Sequence, residues 1–334
     1  MYLEKLAEGK TEIGESGLPP CLPKNFDVTK FDRGRKFIQE HVICHVLAMF
    51  ISLVCGMSVV NLLEPLLFTN NSDTPKKAYR RYMSTFMHVT KWYYGNIWEE
   101  SNKAHTSILT VRNMHNKVRK DMTAHEAKIK NSESGDLDFS NHESIVSEKN
   151  SSCPMAMKNV RLSQYDMSLV QCGFLGIVVM YPRFVGIDCT EAELDDFVYF
   201  WYGVGYMLGI TDKNNICKEG FHVTRNICKE IEEKILIPSL ENPPPQFYPM
   251  AKAFIDGGNI EHRNKLNSVE SVLAIGYYGM NVKLPKLSFI DYCRYLFLRG
   301  FVIVVYYCPP VKKLFNKIIC YVFWDSSVLE KKMN

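Results

Sequence analysis

A histidine occupies a position where helical periodicity predicts an aliphatic residue. Ile108, Val111, Val118 and Met122 lie along one face of a predicted helix, and His115 fills the gap between them. A buried imidazole either satisfies its ring nitrogens with ordinary hydrogen bonds or uses a lone pair to bind a metal. A lone histidine on an apolar face is more often a satisfied core residue than a ligand, so this position alone assigns no function.

Two polar side chains upstream are spaced to share a helix face. Arg81 and Thr85 are four residues apart. If the chain turns back near Ser101, Thr85 and His115 lie equally far from the turn, each about 22 Å along its helix at 1.5 Å per residue. A guanidinium, a hydroxyl and an imidazole then meet between apolar walls. This set suits a haem, with the imidazole on the iron and the arginine and threonine near the porphyrin carboxylates or bound oxygen.

Both upstream residues also have an ordinary structural explanation. Arg81 taken alone is more often a surface or ion-pair residue. Thr85 taken alone is more often a residue that hydrogen-bonds to its own backbone. The spacing therefore raises the haem hypothesis without establishing it.

Composition excludes several classes of protein. The chain has 334 residues, 46% of them hydrophobic, and a net charge of +4, which indicates a globular protein and gives no reason to expect a nucleic-acid partner. Its eleven cysteines include no CxxC pair, so they predict neither a disulfide framework nor a zinc site. The N-terminal sequence MYLEKLAEGK lacks the apolar region of a signal peptide, which predicts an intracellular protein that is not secreted.

One apolar segment raises the question of membrane association. Residues 42–60 are interrupted only by His45 and two serines. Their length is close to the ~20 residues that cross a bilayer core. The alternatives are a membrane helix, or a central helix buried on all sides of a helical protein. The second is modestly favoured.

The elements predict an all-α protein with one large helical domain. Residues 1–30 contain several prolines and glycines and are predicted to be an irregular lead-in, and residues 31–310 form the domain. Within it, residues 131–158 are polar and predict a surface insertion. Residues 311–334 are predicted to be an amphipathic C-terminal tail. No strand–helix alternation and no phosphate-binding glycine loop occur.

Several helix boundaries can be predicted from capping signals. One helix is expected to start near Phe31 and to continue through the apolar segment to Pro65. Pro75 is predicted to open the next helix, since proline is favoured at the first helical position. Thr190 and Glu193 have the spacing of a capping box.

Five sequence stretches occur in an order that resembles a known family. They are FDRGRKF, RYMST, TVRNMHNKVRK, SQYDMSLVQCGFLG and DFVYFWYGVGYMLGITDKNNIC, and they lie between Phe31 and Cys217. Together they resemble the rubber oxygenase (latex clearing protein) superfamily, which includes the oxygenase of mycophenolic acid biosynthesis that is bound to the endoplasmic reticulum. The resemblance implies a globin-like all-α fold, haem b, and association with that membrane.

The resemblance also implies roles for individual residues. The arginine and threonine of the family match Arg81 and Thr85, and its axial haem ligand matches His115. The catalytic glutamate of rubber-cleaving members is matched by Glu64, one residue out of register. Where those members have a lysine that caps the iron, this chain has Ser84.

The implied activity is that of a haem b dioxygenase-like oxidoreductase. Such an enzyme adds O₂ across a C=C bond of an isoprenoid or lipid-like substrate and cleaves it to two carbonyl groups. One alternative is a membrane-associated helical binding or structural protein that has the fold without the haem, which Ser84 and the shifted Glu64 favour. Another is a di-iron bundle, which needs two ExxH pairs, whereas Glu219 and His222 form only one such pair.

Overall fold

The computed structural model describes residues 2–132, 160–261, 263 and 265–324. Within these residues the chain is helical, and the sole β-type pairing is an isolated backbone bridge between Ile13 and Ser163. The predicted all-α class is therefore confirmed for the described part of the chain. The globin-like arrangement within that class stays a prediction.

The first half of the chain contains the helices expected to position the site. They are α1 (Tyr2–Ala7), a 3₁₀ turn (Glu8–Thr11), α2 (Val28–Glu40), α3 (Val42–Gly56), α4 (Val60–Phe68), α5 (Pro75–Tyr94) and α6 (Lys103–Ser132). As predicted, Pro75 takes the first position of α5, directly after Thr74. The predicted polar insertion at 131–158 lies outside the described residues, apart from its first two residues, which end α6.

The second half completes the helical body. It contains α7 (Gln164–Met180), a 3₁₀ turn (Pro182–Val185), α8 (Glu191–Met207), α9 (Phe221–Ile231), a π-helical turn (Glu232–Leu236), α10 (Ile237–Glu241), α11 (Phe247–Glu261), α12 (Val269–Gly279), α13 (Phe289–Tyr307) and α14 (Pro309–Trp324). The predicted capping box at the start of α8 is confirmed. The Thr190 hydroxyl accepts from the Glu193 amide, and the Glu193 carboxylate accepts from the Thr190 amide.

The apolar segment is not one helix, as predicted from Phe31 to Pro65, but three. Asp27 caps α2 by accepting a hydrogen bond from the Lys30 amide at 2.9 Å. At His41 the backbone leaves the helical conformation, and the axes of α2 and α3 meet at an angle of 84°. A second break after Gly56 separates α3 from α4. In the sequence, apolar residues continue across both breaks. Hydrophobic periodicity therefore predicted one helix where the structure has three.

Among the described helices, none is by itself long and apolar enough to cross a membrane. Only the bent pair α2–α3 meets the length and composition criteria when taken together. Most of the length of α3 packs against α7 and α12, and α14 covers it further. The side chains of Cys44, His45 and Val54 are almost completely buried there.

Residues 2–27 are more ordered than the irregular lead-in that the sequence predicted. The first ten form α1 and a 3₁₀ turn. The following segment pairs with the body through its backbone: the Gly14 amide donates to the Leu162 carbonyl at 3.1 Å, and the Ser16 amide donates to the Gly209 carbonyl at 2.8 Å. We call residues 12–18 the N-terminal strap, because they lie across α6 and the ends of α7 and α8.

The C-terminal tail also belongs to the body. Its helix starts at Pro309, two residues before the predicted boundary, and packs against α2, α3 and α5. Asn316 bridges the break between α2 and α3: its Nδ2 donates to the Glu40 carbonyl at 2.7 Å, and its Oδ1 accepts from the Ile43 amide at 3.0 Å. Residues 325–334 of the predicted tail lie outside the described residues.

The closest helix–helix packing joins α2 and α8. A Cβ atom added to Gly34 would lie only 2.0 Å from the Asp196 carbonyl oxygen of α8, so this contact requires glycine. Around it, Phe31 and Phe200 stack with ring centroids 4.9 Å apart. The contact is reinforced at its outer edge by a bidentate ion pair between Arg33 and Asp196.

Candidate functional site

The antiparallel pair α5–α6 sets the register of the predicted site. The Ser107 hydroxyl lies 2.8 Å from His88 Nδ1 and accepts a hydrogen bond from Trp92 Nε1 at 3.1 Å. His115 lies eight residues beyond Ser107 on α6, and eight residues before His88 on α5 is residue 80. Arg81 is therefore the predicted site residue that lies level with His115.

Thr85 is not level with His115, so that part of the prediction was wrong. The connection between α5 and α6 runs from Gly95 to Asn102, and its centre lies earlier in the chain than the Ser101 turn that the prediction assumed. This moves Thr85 about one helical turn toward the connection. Its side chain is exposed, and its hydroxyl donates to the Arg81 carbonyl on its own helix at 3.2 Å.

His115 has the properties of an available neutral ligand. Its side chain is partly exposed, but its Nδ1 atom is buried and has no hydrogen-bond partner in the described structure. Burial, together with the positive charges of Arg119 and Arg81, lowers the pKa of His115 to about 4. The ring is therefore neutral near pH 7, and its lone pair is not protonated.

Arg81 is a mostly buried cation beside this imidazole. Its Nη1 donates to the Thr69 hydroxyl at 2.6 Å. Within the described parts of the chain no carboxylate forms an ion pair with it, and burial lowers its pKa. A buried guanidinium without a counter-ion favours an anionic group nearby, such as a carboxylate of a bound ligand.

Glu64 lies in a separate cluster of charged groups. Its carboxylate accepts from Arg161, which also binds Glu126. Burial raises the pKa of Glu64, Arg161 opposes this rise, and the negative charges of Asp166 and Glu126 add to it. Glu126 is eleven residues beyond His115, about 16 Å along α6 at 1.5 Å per residue. Among the described residues, Glu64 and His115 form no hydrogen bond or ion pair with each other.

Two arginines next to His115 have structural partners that the sequence did not predict. The Arg112 guanidinium binds the Glu15 carboxylate of the N-terminal strap and donates to the Leu18 carbonyl at 2.9 Å. Arg119 donates to the carbonyls of Leu162 and Gly14 at 2.9 and 2.8 Å. These two residues hold the strap against α6 and are not available to a ligand. In the sequence, this structural role was indicated only by the seven-residue spacing of the two arginines, which places both on the buried face of α6.

His45 is a second histidine with a buried ring nitrogen that has no partner among the described residues. Its Nε2 atom has no hydrogen bond to any described residue, and burial lowers the pKa of the ring well below its usual value. The ring packs among aromatic side chains, with centroids 5.0 Å from Phe197 and 6.0 Å from Phe37. A missing partner therefore does not by itself distinguish a ligand. A nearby positive charge does not either, because Lys312 lowers the pKa of His45 just as Arg119 and Arg81 lower that of His115.

Other features lie away from the predicted residues. An open groove of about 580 Å³ runs between α11, α12 and α13, and its lining includes Tyr248, Asp256 and Arg294 but none of the predicted site residues. The described residues contain no cluster of three or more His, Cys, Asp or Glu side chains that could hold a metal ion. A haem needs only one protein ligand on its iron, so His115 remains chemically suited to it.

Comparisons of the chain with protein-family models, with curated proteins and with solved structures found no match. The assignment of a function therefore depends on the motifs of the sequence and on the geometry around His115 and Arg81.

Proposed function

We propose that this chain is a haem b-dependent oxidoreductase of the rubber-oxygenase type, with His115 as the iron ligand. One observation carries the proposal: a neutral imidazole, whose buried Nδ1 has no partner among the described residues, lies level with a half-buried guanidinium that pairs with no described carboxylate. The resemblance of five ordered sequence stretches supports the same assignment.

The residues present fit a haem at two points. The unprotonated His115 ring supplies one nitrogen lone pair, and Arg81 supplies positive charge for a porphyrin carboxylate. Thr85 offers a hydroxyl on the outer side of the same helix, but this hydroxyl now donates to the Arg81 carbonyl, and that hydrogen bond has to break before the hydroxyl can donate to a ligand. Haem iron, when bound, would supply the activation of O₂.

The proposed reaction cleaves a C=C bond of an isoprenoid or lipid-like substrate. One O₂ molecule adds to the two carbons, and both atoms leave as the oxygens of two carbonyl groups. Glu64 is the proposed base that takes an allylic proton from the substrate and later returns it, so that the overall reaction consumes only the substrate and O₂; burial raises the pKa of Glu64 and so favours proton uptake. Arg161 stabilises the ionised form of Glu64, so the ion pair has to loosen before this step.

The proposal includes the location of the protein in the cell. An isoprenoid or lipid-like substrate partitions into membranes, which supports the expected intracellular location at the endoplasmic reticulum. The apolar side chains of residues 42–60 are proposed to line the route of such a substrate. Because most of them pack against neighbouring helices, these helices have to separate before the route opens.

The test is the absorbance spectrum and iron content of the protein expressed with a haem supply. We expect a Soret band in the wild type that His115→Ala loses or strongly weakens. His45→Ala is the matched control, because it removes another buried imidazole without a partner, and it should keep the band. Equal haem content in His115→Ala and wild type would exclude His115 as the ligand.

A second candidate is a helical binding or structural protein without haem. It is favoured by the internal contacts of the predicted site residues: Arg81 binds Thr69, Thr85 binds its own helix, and Glu64 binds Arg161. The same spectrum distinguishes the two candidates, because a wild-type protein that takes up no haem even when haem is added supports the second.

A further inference from the structure

Helix α13 exposes its apolar side chains to solvent. Three pairs of large apolar residues recur every seven positions, which is close to two helical turns, so they lie along one face. These pairs are Phe289 with Ile290, Leu296 with Phe297, and Ile303 with Val304. Phe289 is 82% exposed, and Tyr307, which extends the row, is 77% exposed. Ordinary surface helices have the opposite orientation.

The charged residues of α13 point toward the protein instead. Asp291 accepts from Arg294 at 2.9 Å and from the Ser268 hydroxyl at 2.7 Å. Arg299 donates to the hydroxyls of Tyr278 and Tyr295, and its guanidinium lies 3.9 Å from the centre of the Tyr278 ring. Because the charged side chains of α13 have their partners on the inner side of the helix, none of them lies at the centre of its outer face.

Helix α14 continues this surface. The two helices meet at Cys308, and the Phe301 and Phe315 rings hold them together with centroids 5.1 Å apart. On α14 the exposed apolar residues are Leu314, Ile318 and Tyr321. We use the name terminal apolar face for seven of the exposed residues of α13 (289, 290, 296, 297, 303, 304 and 307) together with these three.

Basic residues surround the terminal apolar face. Residues 281–324 contain seven basic residues and a single acidic one, Asp291, which is a net charge of +6. The whole chain carries +4, so the remainder carries −2. Four of the basic side chains are exposed and lie within six residues, in the sequence, of a member of the face: Lys283, Lys286, Lys313 and Lys317. The positive charge of the chain is therefore concentrated where its apolar side chains are exposed.

We infer that the terminal apolar face docks onto an anionic lipid surface. Exposed Phe, Leu, Ile and Val side chains would enter the boundary between headgroups and acyl chains. The tyrosines suit the same interfacial depth, and the lysines would bind acidic headgroups. A large exposed apolar area otherwise favours aggregation, so a lipid surface explains both the apolar row and its basic surround. This inference does not depend on haem binding.

The test is co-sedimentation of the full chain with phosphatidylcholine vesicles with and without phosphatidylserine. We expect the wild type to sediment with the phosphatidylserine vesicles and to be released by added salt, since exposed charges are screened. Leu296→Ser with Ile303→Ser should lower the partition coefficient roughly tenfold, because two apolar side chains no longer enter the lipid. Lys313→Glu with Lys317→Glu should lower it by a similar factor or more.

Matched variants elsewhere control for exposure and charge. Leu18→Ser with Ile260→Ser replaces two apolar residues that are also exposed, and Lys76→Glu with Lys117→Glu reverses two exposed lysines. Both should bind vesicles like the wild type. Circular dichroism melting checks that each variant folds, and the dependence of wild-type binding on phosphatidylserine content tests the inference without any variant.

Three results would overturn the inference. The first is a wild type that stays in the supernatant with phosphatidylserine vesicles. The second is equal loss of binding in the control variants. The third is a dimer, measured by light scattering, that Leu296→Ser with Ile303→Ser dissociates while vesicle binding is absent. That last result would mean that a second copy of the chain covers the face.

Discussion

At the scale of single residues, burial and hydrogen bonding act on the pKa of Glu15 in opposite directions. Burial opposes the ionisation of this carboxyl group, but hydrogen bonds from Arg112, Asn116 and the Gly17 amide outweigh it and lower its pKa to about 2. A lowered pKa in the folded state means that the ionised group stabilises the fold. This contribution is complete above about pH 4.5 and is lost as the pH falls toward 2.

Glu15→Gln is therefore expected to destabilise the protein in a pH-dependent way. At pH 7 we expect a loss of about 2 kcal/mol in the free energy of unfolding, after allowing for partial solvent screening. The difference from wild type should shrink as the pH is lowered from 4.5 to 2, because the wild-type carboxylate becomes protonated too. Urea unfolding at several pH values measures it.

A nearby carboxylate provides the control for this prediction. Glu12 lies three residues earlier, and among the described residues its carboxylate pairs with Lys213 alone, at 3.3 Å, in an exposed pair. Glu12→Gln should change stability by a few tenths of a kcal/mol at any pH, because exposed ion pairs contribute little. A Glu15→Gln variant that showed the same small effect would mean that the contact with Arg112 is not stabilising.

At the scale of elements, local signals predicted where helices begin better than where they break. Pro75 and the capping box of Thr190 gave correct starts, because capping depends on neighbours within four residues. The break at His41 depends on Asn316, which replaces the missing helical hydrogen bonds from a helix more than 270 residues away. No local pattern contains that information.

Two glycines in helices should respond in opposite ways to alanine. Gly34→Ala places a methyl group against the Asp196 carbonyl, so we expect a loss of about 1–3 kcal/mol as α2 and α8 separate. Gly173, within α7, has nothing within 4 Å of an added Cβ. Gly173→Ala should therefore raise stability by about 1 kcal/mol through helix propensity.

Thermal or chemical unfolding of both variants measures this difference. The comparison separates packing from propensity, since both substitutions add the same methyl group to a helix. If Gly34→Ala were also stabilising, the close contact between α2 and α8 would not exist in solution.

At the scale of the whole molecule, the sequence predicted part of the candidate site. It predicted a helical hairpin with Thr85 level with His115, whereas in the structure of this hairpin Arg81 lies at that level. It placed Thr85 wrongly, because the register depends on a contact between His88 and Ser107. It also missed the N-terminal strap, since Glu15 and its partner Arg112 are 97 positions apart.

Arg112→Met should release the N-terminal strap from the body. The substitution leaves Glu15 partly buried without its cation, which costs about 3 kcal/mol. We expect a glutamate-specific protease to cleave after Glu12 or Glu15 at least ten times faster than in the wild type. Lys117→Met removes an exposed charge from the same helix and should leave the cleavage rate unchanged, whereas equal rates in all three proteins would contradict the role of Arg112.

Residues 3–16 have a consequence for synthesis of the chain. The Leu3 amide donates to Glu230, which follows 227 positions later, and the Ser16 amide of the N-terminal strap donates to the carbonyl of Gly209. At roughly 5–20 residues per second on the ribosome, Leu3 waits roughly ten to forty-five seconds for its partner. Throughout that interval its amide has to bond to water instead, so these residues are fixed in place long after they are made.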